Sequence, residues 1–201
     1  SKSVKNKNIK KLGGKPLIAW SIESALSNKL KTIVNTDCQK IAKIAKRYGA
    51  ETMIRPERLA RDTTSMLALL KSEIKKIKPL PELVLLLQPT SPFRDKTLIQ
   101  MSIDIMSDMY YDSLISIEKV PSQYSPSHII RIITAKTRKK TFIMADGKKL
   151  QNRITERQNY QIGYIPTGSI YLFRTKNLKR NSIYGRNTAF IETEPTININ
   201  S

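Results

Sequence analysis

The stretch VLLLQPTSPFR, residues 84–94, decides the reading of the fold. An unbroken apolar run stops at a polar turn containing two prolines. Such a run, bounded by turn signals, fits a strand covered on both faces, as strands of parallel sheets are. In open parallel sheets ligands bind beyond the carboxyl ends of the strands, near the switch in strand order. Gln88, Thr90 and Ser91 stand at such an end, where an amide and two hydroxyls can hydrogen-bond a polyhydroxylated ligand. Pro89 and Pro92 stiffen the turn that presents them. The same residues also read as a plain strand-to-helix loop in which Ser91 or Asp95 caps the next helix. On residue chemistry alone the two readings stand level.

Working outward, helical and strand periodicities alternate. PLIAWSIESAL places Leu17, Ile18, Ile22, Ala25 and Leu26 at helical spacing, with Pro16 at its start where a missing N–H costs nothing. KTIVNT reads as a strand, CQKIAKIAKRYG as a helix ending at Gly49, ETMI as a strand and SMLALLKSEIKKI as a helix. After the strand ELVLLLQ come the helix LIQMSIDIMSDM and the strand SLISIE. This alternation predicts a parallel sheet covered on both sides by helices. Residues 119–165 break the pattern with prolines, a basic turn and short β-like pieces, HIIRIIT and TFIMADGKKL, which we read as an antiparallel excursion. GSIYLF then returns to a buried strand, and AFIET reads as another.

Composition bounds the function classes. At 201 residues the chain suits one medium domain able to bury a core without staples. A single cysteine, Cys38, rules out an internal disulfide and fits a reducing, cytoplasmic setting. No apolar run approaches the roughly 18 residues of a membrane helix, and no signal-peptide core is visible. The charge is the loudest feature: 36 Lys+Arg against 16 Asp+Glu, formally +20. That balance suits polyanionic partners such as phosphorylated substrates. The lysines are spread along the chain and no aromatics interleave with them, so no stacking platform for nucleic acid is expected. At the N-terminus, Lys2 and Lys7 precede a helix, a natural place for a polyphosphate, although a lysine-rich start also describes a solvated tail.

Taken in order, several stretches resemble the CMP-N-acetylneuraminate synthetase (acylneuraminate cytidylyltransferase) family along nearly the whole chain. SKSVKNKNI…LGGKPLIAWSIESAL is similar to the second half of the family's nucleotide-binding opening, and VNTDCQKIAKIAKRYGAE to its STD…GAE segment. IRPERLARDTTS resembles the family's RP-ELA-DT-S, LLLQPTSPFR its most recognisable motif, and RQ at 157–158 with TGSIYLF its RQ…NGAIYI stretch.

The resemblance implies a three-layer α/β/α domain with a mainly parallel sheet, of the nucleotide-diphospho-sugar transferase type. Residues 1–118 would form the nucleotide-binding part, 119–165 a small antiparallel dimerisation excursion, and 166–201 the return to the main sheet. It implies transfer of CMP from CTP to the anomeric hydroxyl of a nonulosonic, sialic-type acid, with release of pyrophosphate and assistance from Mg²⁺. Lys2 and Lys7 would hold the triphosphate, and Asn8, Arg55 and Ser65 the cytidine. Gln88, Arg157 and Tyr171 would face the sugar, the arginine gripping its carboxylate in bidentate fashion. Read without the resemblance, Tyr171 is equally a core aromatic and Arg55 a loop charge, although its place directly after a strand favours a ligand. The implied partners are CTP, a nonulosonic acid and a second copy of the chain, with no nucleic acid and no membrane.

Three departures from the pattern qualify the expectation. The family's opening strand and its arginine- and glycine-containing loop come before the serine–lysine pair, which here begins the chain at Ser1, and the usual C-terminal helix is absent. TININS stands where the family has its metal motif, so that Asn198 and Asn200 occupy the metal positions, Asn198 where aspartate is usual. YIPTGS has Ile165 and Thr167 where arginine and asparagine are common. The expectation is therefore little cytidylyl transfer from these 201 residues until the strand and loop are supplied. The alternatives are a cytidylyltransferase for another 2-keto sugar acid such as 3-deoxy-manno-octulosonate, and a catalytically impaired polyanion-binding relative.

Overall fold

A computed structural model describes residues 4, 6–61, 63–134, 140–149, 152, 156, 162–195 and 197–199. The chain divides into two compact units, one made of Ser1–Ser116, Thr167–Ile191 and Thr196–Ser201, the other of Ile117–Pro166 and Glu192–Pro195.

The first unit opens with a 3-10 turn over Lys7–Ile9 and a two-residue ribbon, β1 (Lys11–Leu12) against β2 (Lys15–Pro16). Helix α1 (Leu17–Ser27) follows, with Pro16 just ahead of it in the cap position. Strand β3 (Ile33–Thr36), helix α2 (Gln39–Arg47) and strand β4 (Glu51–Ile54) form a crossover unit, and β3 and β4 pair in parallel from Ile33↔Glu51 to Thr36↔Ile54. Gly49 ends α2 at φ +90°, a conformation that a side chain resists. Next come α3 (Met66–Ile74), β5 (Leu83–Leu86), α4 (Lys96–Ser107) and β6 (Ser113–Lys119). The last strands are β9 (Tyr164–Arg174) and β10 (Thr188–Glu192).

Strands β10, β6, β9 and β5 lie side by side in that order in one four-stranded sheet. β9 runs antiparallel to β5, with Leu83↔Arg174 through Leu86↔Tyr171 in register, so the sheet is mixed rather than uniformly parallel. Its two faces are covered separately. Leu98, Ile99 and Met106 of α4 pack with Leu114, Ile170, Leu172, Ala189 and Ile191 on one face. Ile74 of α3 packs with Phe173 and Leu178 on the other. Strand β5 feeds both clusters, Leu83 and Leu85 towards α4, Val84 and Leu86 towards α3. Its apolar run is thus covered on both faces as expected, but each residue stays only half-buried, since among the described residues β5 lies at the edge of its sheet. A third cluster joins Ile18 and Ile22 of α1 to Ala45 of α2 and Ala50.

The far end of this unit is closed by a buried arginine. Arg174, 3% exposed, pairs with Glu82 and donates to the carbonyls of Tyr111 and Met106, each at 2.9 Å.

In the second unit the described ladder is a ribbon of β7 (Ile130–Thr134) against β8 (Lys140–Met144), in register from Ile130↔Met144 to Thr134↔Lys140. A 3-10 turn over Ser122–Tyr124 precedes it, and Glu192–Pro195 joins the unit through Thr193 N, which donates to Ile117 O at 2.8 Å.

Candidate active site

Polar side chains stand at the carboxyl ends of β3 and β4 in their two-stranded sheet and after β5 in the four-stranded one, the ends at which α/β sheets carry ligands. After β4 the chain turns at Arg55, whose N–H donates to Thr36 O at 2.9 Å. Its guanidinium is anchored to β3: Nε donates to Asn35 Oδ1 at 2.9 Å and Nη2 to the Asn35 carbonyl at 3.2 Å. Arg55 is therefore a held group at the strand ends and no free surface charge. Ser65 sits at the N-cap of α3, where its Oγ accepts from Ala68 N at 3.1 Å. That cap leaves the hydroxyl proton for another acceptor.

The turn after β5 is built more rigidly than a loop that merely connects. Of the two caps considered from the sequence, Asp95 is the one used, its carboxylate accepting from Thr97 N at 2.9 Å at the start of α4. Ser91 is 2% exposed and serves another purpose: its hydroxyl donates to Asn198 Oδ1 at 2.5 Å. Asn198 Nδ2 in turn donates to Thr167 O at 3.0 Å, and Ile199 N to Thr90 O at 2.8 Å. Thr167 Oγ1 and Ser116 Oγ lie 2.6 Å apart, and Ser116 accepts from Ile170 N at 2.9 Å. Between these groups passes Gly168 at φ +74°, where an added Cβ would come within 3.3 Å of Gln88 Oε1 and 3.4 Å of Ser91 Oγ. Glycine is required there both for its backbone angle and for the close approach of the glutamine.

Arg94 ties this floor together. Continuing the β5–β9 register by two places sets Gln88 opposite Ser169, just where the ladder stops. Arg94 donates to both carbonyls, to Gln88 O and, through Nε, to Ser169 O at 2.7 Å, and its Nη1 reaches Ser21 Oγ of α1 at 2.8 Å. Only 8% exposed, it makes no ion pair among the described residues, and burial pushes its pKa down to about 10, so it stays charged at neutral pH. Sequence reasoning quoted this arginine within its motif without giving it a task. A cation two residues after Pro92, at the start of a helix whose first turn favours anions, was the signal.

The remaining expected residues are placed as follows. Lys7 and Asn8 lie in the 3-10 turn before α1, and that segment is fastened to the helix by Leu17 N to Lys10 O at 2.9 Å and Trp20 Nε1 to Leu12 O at 3.1 Å. Because Ser21 of the same helix touches Arg94, α1 links the lysine-rich turn to the floor. Tyr171 is half-buried on β9 opposite Leu86; burial, then the nearby Tyr184, raises its pKa. Lys2, Arg157 and Asn200 lie outside the described residues.

Asn198 was expected at a metal position. Mg²⁺ takes about six oxygen ligands in strict octahedral geometry and prefers carboxylates and phosphates. Here both polar atoms of the Asn198 amide are engaged within the protein, by the Ser91 hydroxyl and the Thr167 carbonyl. Among the described residues no group of three or more His, Cys, Asp or Glu side chains could hold a metal ion. The described surroundings of Asn198 do not fit Mg²⁺.

Held polar groups after β3, β4 and β5 stand where α/β domains carry their ligands. A solved CMP:2-keto-3-deoxy-manno-octonic acid synthetase complexed with CTP matches the fold with a TM-score of 0.66 over 94% of this chain and 84% of that one, at 15% identity. The family model for cytidylyltransferases matches residues 1–189. Among curated proteins, the N-acylneuraminate cytidylyltransferase of Escherichia coli O18:K1:H7 is 34% identical over 190 residues, which make up 92% of this chain and 43% of that protein. The CMP-N,N'-diacetyllegionaminic acid synthase of Campylobacter jejuni is 32% identical over 207 residues, 98% of this chain and 83% of that one. The chain thus belongs to the cytidylyltransferase family, on the branch holding the CMP-sialic and CMP-legionaminic acid synthetases. It spans less than half the length of the E. coli relative.

Proposed function

We propose that the protein transfers CMP from CTP to the anomeric hydroxyl of a nonulosonic acid, of sialic or legionaminic type, and releases pyrophosphate. The anomeric oxygen attacks the α-phosphorus, its proton passes to solvent, and the bond from that phosphorus to the bridging oxygen of the pyrophosphate breaks. Little covalent work falls to the protein, so positioning and charge dominate. In this reading Lys2 and Lys7 meet the triphosphate, Asn8, Arg55 and Ser65 the cytidine, and Gln88, Arg157 and Tyr171 the sugar. Mg²⁺ would travel with the CTP phosphates, while Asn198 keeps the task of closing the floor.

The observation that carries the reading is the floor itself, where the Gln88 side chain lies against Gly168 and its backbone carbonyl is held by Arg94. Packing alone does not call for a glutamine side chain this close to a glycine whose backbone angle excludes other residues. The relatives support the substrate class: the C. jejuni protein is a CMP-legionaminic acid synthase and the E. coli protein acts on N-acylneuraminate, as their names state.

A second copy of the chain belongs to the same proposal. The β7–β8 ribbon exposes Ile130 at 45% and Ile132 at 62%, and two strands alone are marginal in water. A partner subunit of the same kind would cover them.

Pyrophosphate release with CTP and a panel of nonulosonic acids, with 3-deoxy-manno-octulosonate included, tests the function. Turnover with a sialic- or legionaminic-type acid supports it. Turnover with the octulosonate alone moves the protein to the neighbouring activity, and salt-dependent polyanion binding without any turnover favours an impaired relative.

A further inference from the structure

Helix α3 carries a carboxylate where its apolar stripe calls for a hydrophobic side chain. Glu73 lies one turn after the buried Leu69, beside Ile74, and is 5% exposed. A buried carboxylate is costly unless hydrogen bonds and a cation satisfy it. Both are present. Oε1 accepts from Lys76 Nζ at 2.6 Å and from Ser72 Oγ at 3.2 Å, and Oε2 accepts from Asn35 Nδ2 at 2.9 Å. Burial acts to raise its pKa, but the Lys76 hydrogen bond and charge, with Ser72 and Asn35, outweigh burial and hold it below its ordinary value. Towards Asn35 the group is therefore an acceptor only.

That fixes the Asn35 amide. An asparagine can turn either its oxygen or its NH₂ towards a neighbour, and only the oxygen can accept from an arginine. With Nδ2 committed to Glu73, Oδ1 faces Arg55 and accepts from its Nε, while the Asn35 carbonyl accepts from Nη2. Two of the fork's three nitrogens are held, and among the described residues Nη1 has no partner. The fork is thus aimed before any ligand arrives, and less freedom is lost on binding.

We propose that Glu73 is a positioning residue for the nucleotide side of the site: through the Asn35 amide it orients Arg55 towards the cytidine of CTP. This rests on the reading of Arg55 given under the proposed function. Ser65, the other described cytidine candidate near this helix, caps the start of the same α3, so one helix sets both groups.

The test compares Glu73→Leu, which removes the acceptor but suits the apolar stripe, with Glu73→Gln, which keeps an acceptor for Asn35. Glu73→Leu should raise KM for CTP about tenfold, the size of one hydrogen bond to a charged group. Its kcat and its KM for the nonulosonic acid should stay within about twofold of the parent. Glu73→Gln should recover most of the loss, and Glu73→Leu should add nothing in an Arg55→Ala background. A purely structural role would instead shift both substrates alike or add in full to Arg55→Ala, and either result overturns the proposal. If the parent protein does not use CTP, the functional reading falls, and the relay is then read from the Arg55 Nε–Hε NMR resonance of the unliganded protein. That resonance should move towards a free guanidinium position in Glu73→Leu and not in Glu73→Gln; an Arg55 signal indifferent to Glu73→Leu overturns the relay.

Discussion

Strands β5 and β7 look alike in sequence, LVLL and IRIIT, yet they end up in opposite surroundings. β5 lies between α3 and α4 and gives alternate residues to the clusters on the two faces of its sheet. β7 has β8 beside it and leaves Ile130, Ile132 and Ile133 between 40% and 62% exposed. Apolar patterning thus specifies that a strand forms, while neighbouring elements decide whether its side chains leave water. At β5 those neighbours belong to the chain, and the half-buried strand carries the candidate site at its end. At β7 they are missing among the described residues, and the account assigns them to a second copy.

The largest expected effect breaks the β5 side of this comparison. Arg94→Met strips a hydrogen bond from Gln88 O, Ser169 O and Ser21 Oγ at once. Leaving buried polar groups unpaired costs about 1–3 kcal/mol each, so chemical denaturation should register a loss of about 3 kcal/mol, with sugar use failing before CTP binding. The β7 side is probed by Ile132→Lys. It should shift the protein from dimer to monomer in light scattering at micromolar concentration and leave the thermal midpoint of the first unit in place; a parent that is already monomeric removes the second copy from the account.

A smaller effect is expected at Asn198→Asp. The aspartate keeps the acceptor for Ser91 but loses the donor to Thr167 O and sets a carboxylate against that carbonyl, which should cost about 1–2 kcal/mol in denaturation. A variant gaining Mg²⁺-dependent turnover without loss of stability would show that position 198 serves the metal instead.

The smallest is a pH effect. Glu73 and Asp112 are both held below their ordinary values, Glu73 chiefly by Lys76 against the opposing effect of burial, Asp112 chiefly by its Lys176 hydrogen bond. Groups with a depressed folded pKa contribute stability that is present above the unfolded value and fades as pH falls through the folded one. The acid limb of the stability curve should therefore flatten in Glu73→Gln below about pH 4.5, the ordinary carboxylate value.

Most of the architecture was legible because period and punctuation agreed. ETMI became β4 residue for residue, and Gly49 ended α2 as its sequence promised. The direction of β9 was not legible, since a strand's own side chains do not say whether its neighbour runs with it or against it. Its antiparallel course brings Gly168 beside Gln88. At the site, the polar turn after β5 announced itself, but the residues that hold it did not. Glu73, Asn35 and Arg94 act through partners distant in sequence, 38 residues away for Glu73–Asn35 and 75 for Arg94–Ser169. Glu73 does leave a trace in the sequence, a carboxylate at helical spacing on an apolar stripe, but its partner Asn35 does not.

The central claim is a division of labour: Arg55 at the end of β4 serves the cytidine, and Gln88 at the end of β5 serves the sugar. Steady-state constants for CTP and for the nonulosonic acid, measured side by side in Arg55→Ala and Gln88→Ala, test it most directly. The account predicts a crossed pattern, with Arg55→Ala raising KM for CTP about tenfold and Gln88→Ala doing the same for the sugar acid, each leaving the other substrate within about twofold. Two variants that weaken the same substrate, or both substrates equally, would contradict it.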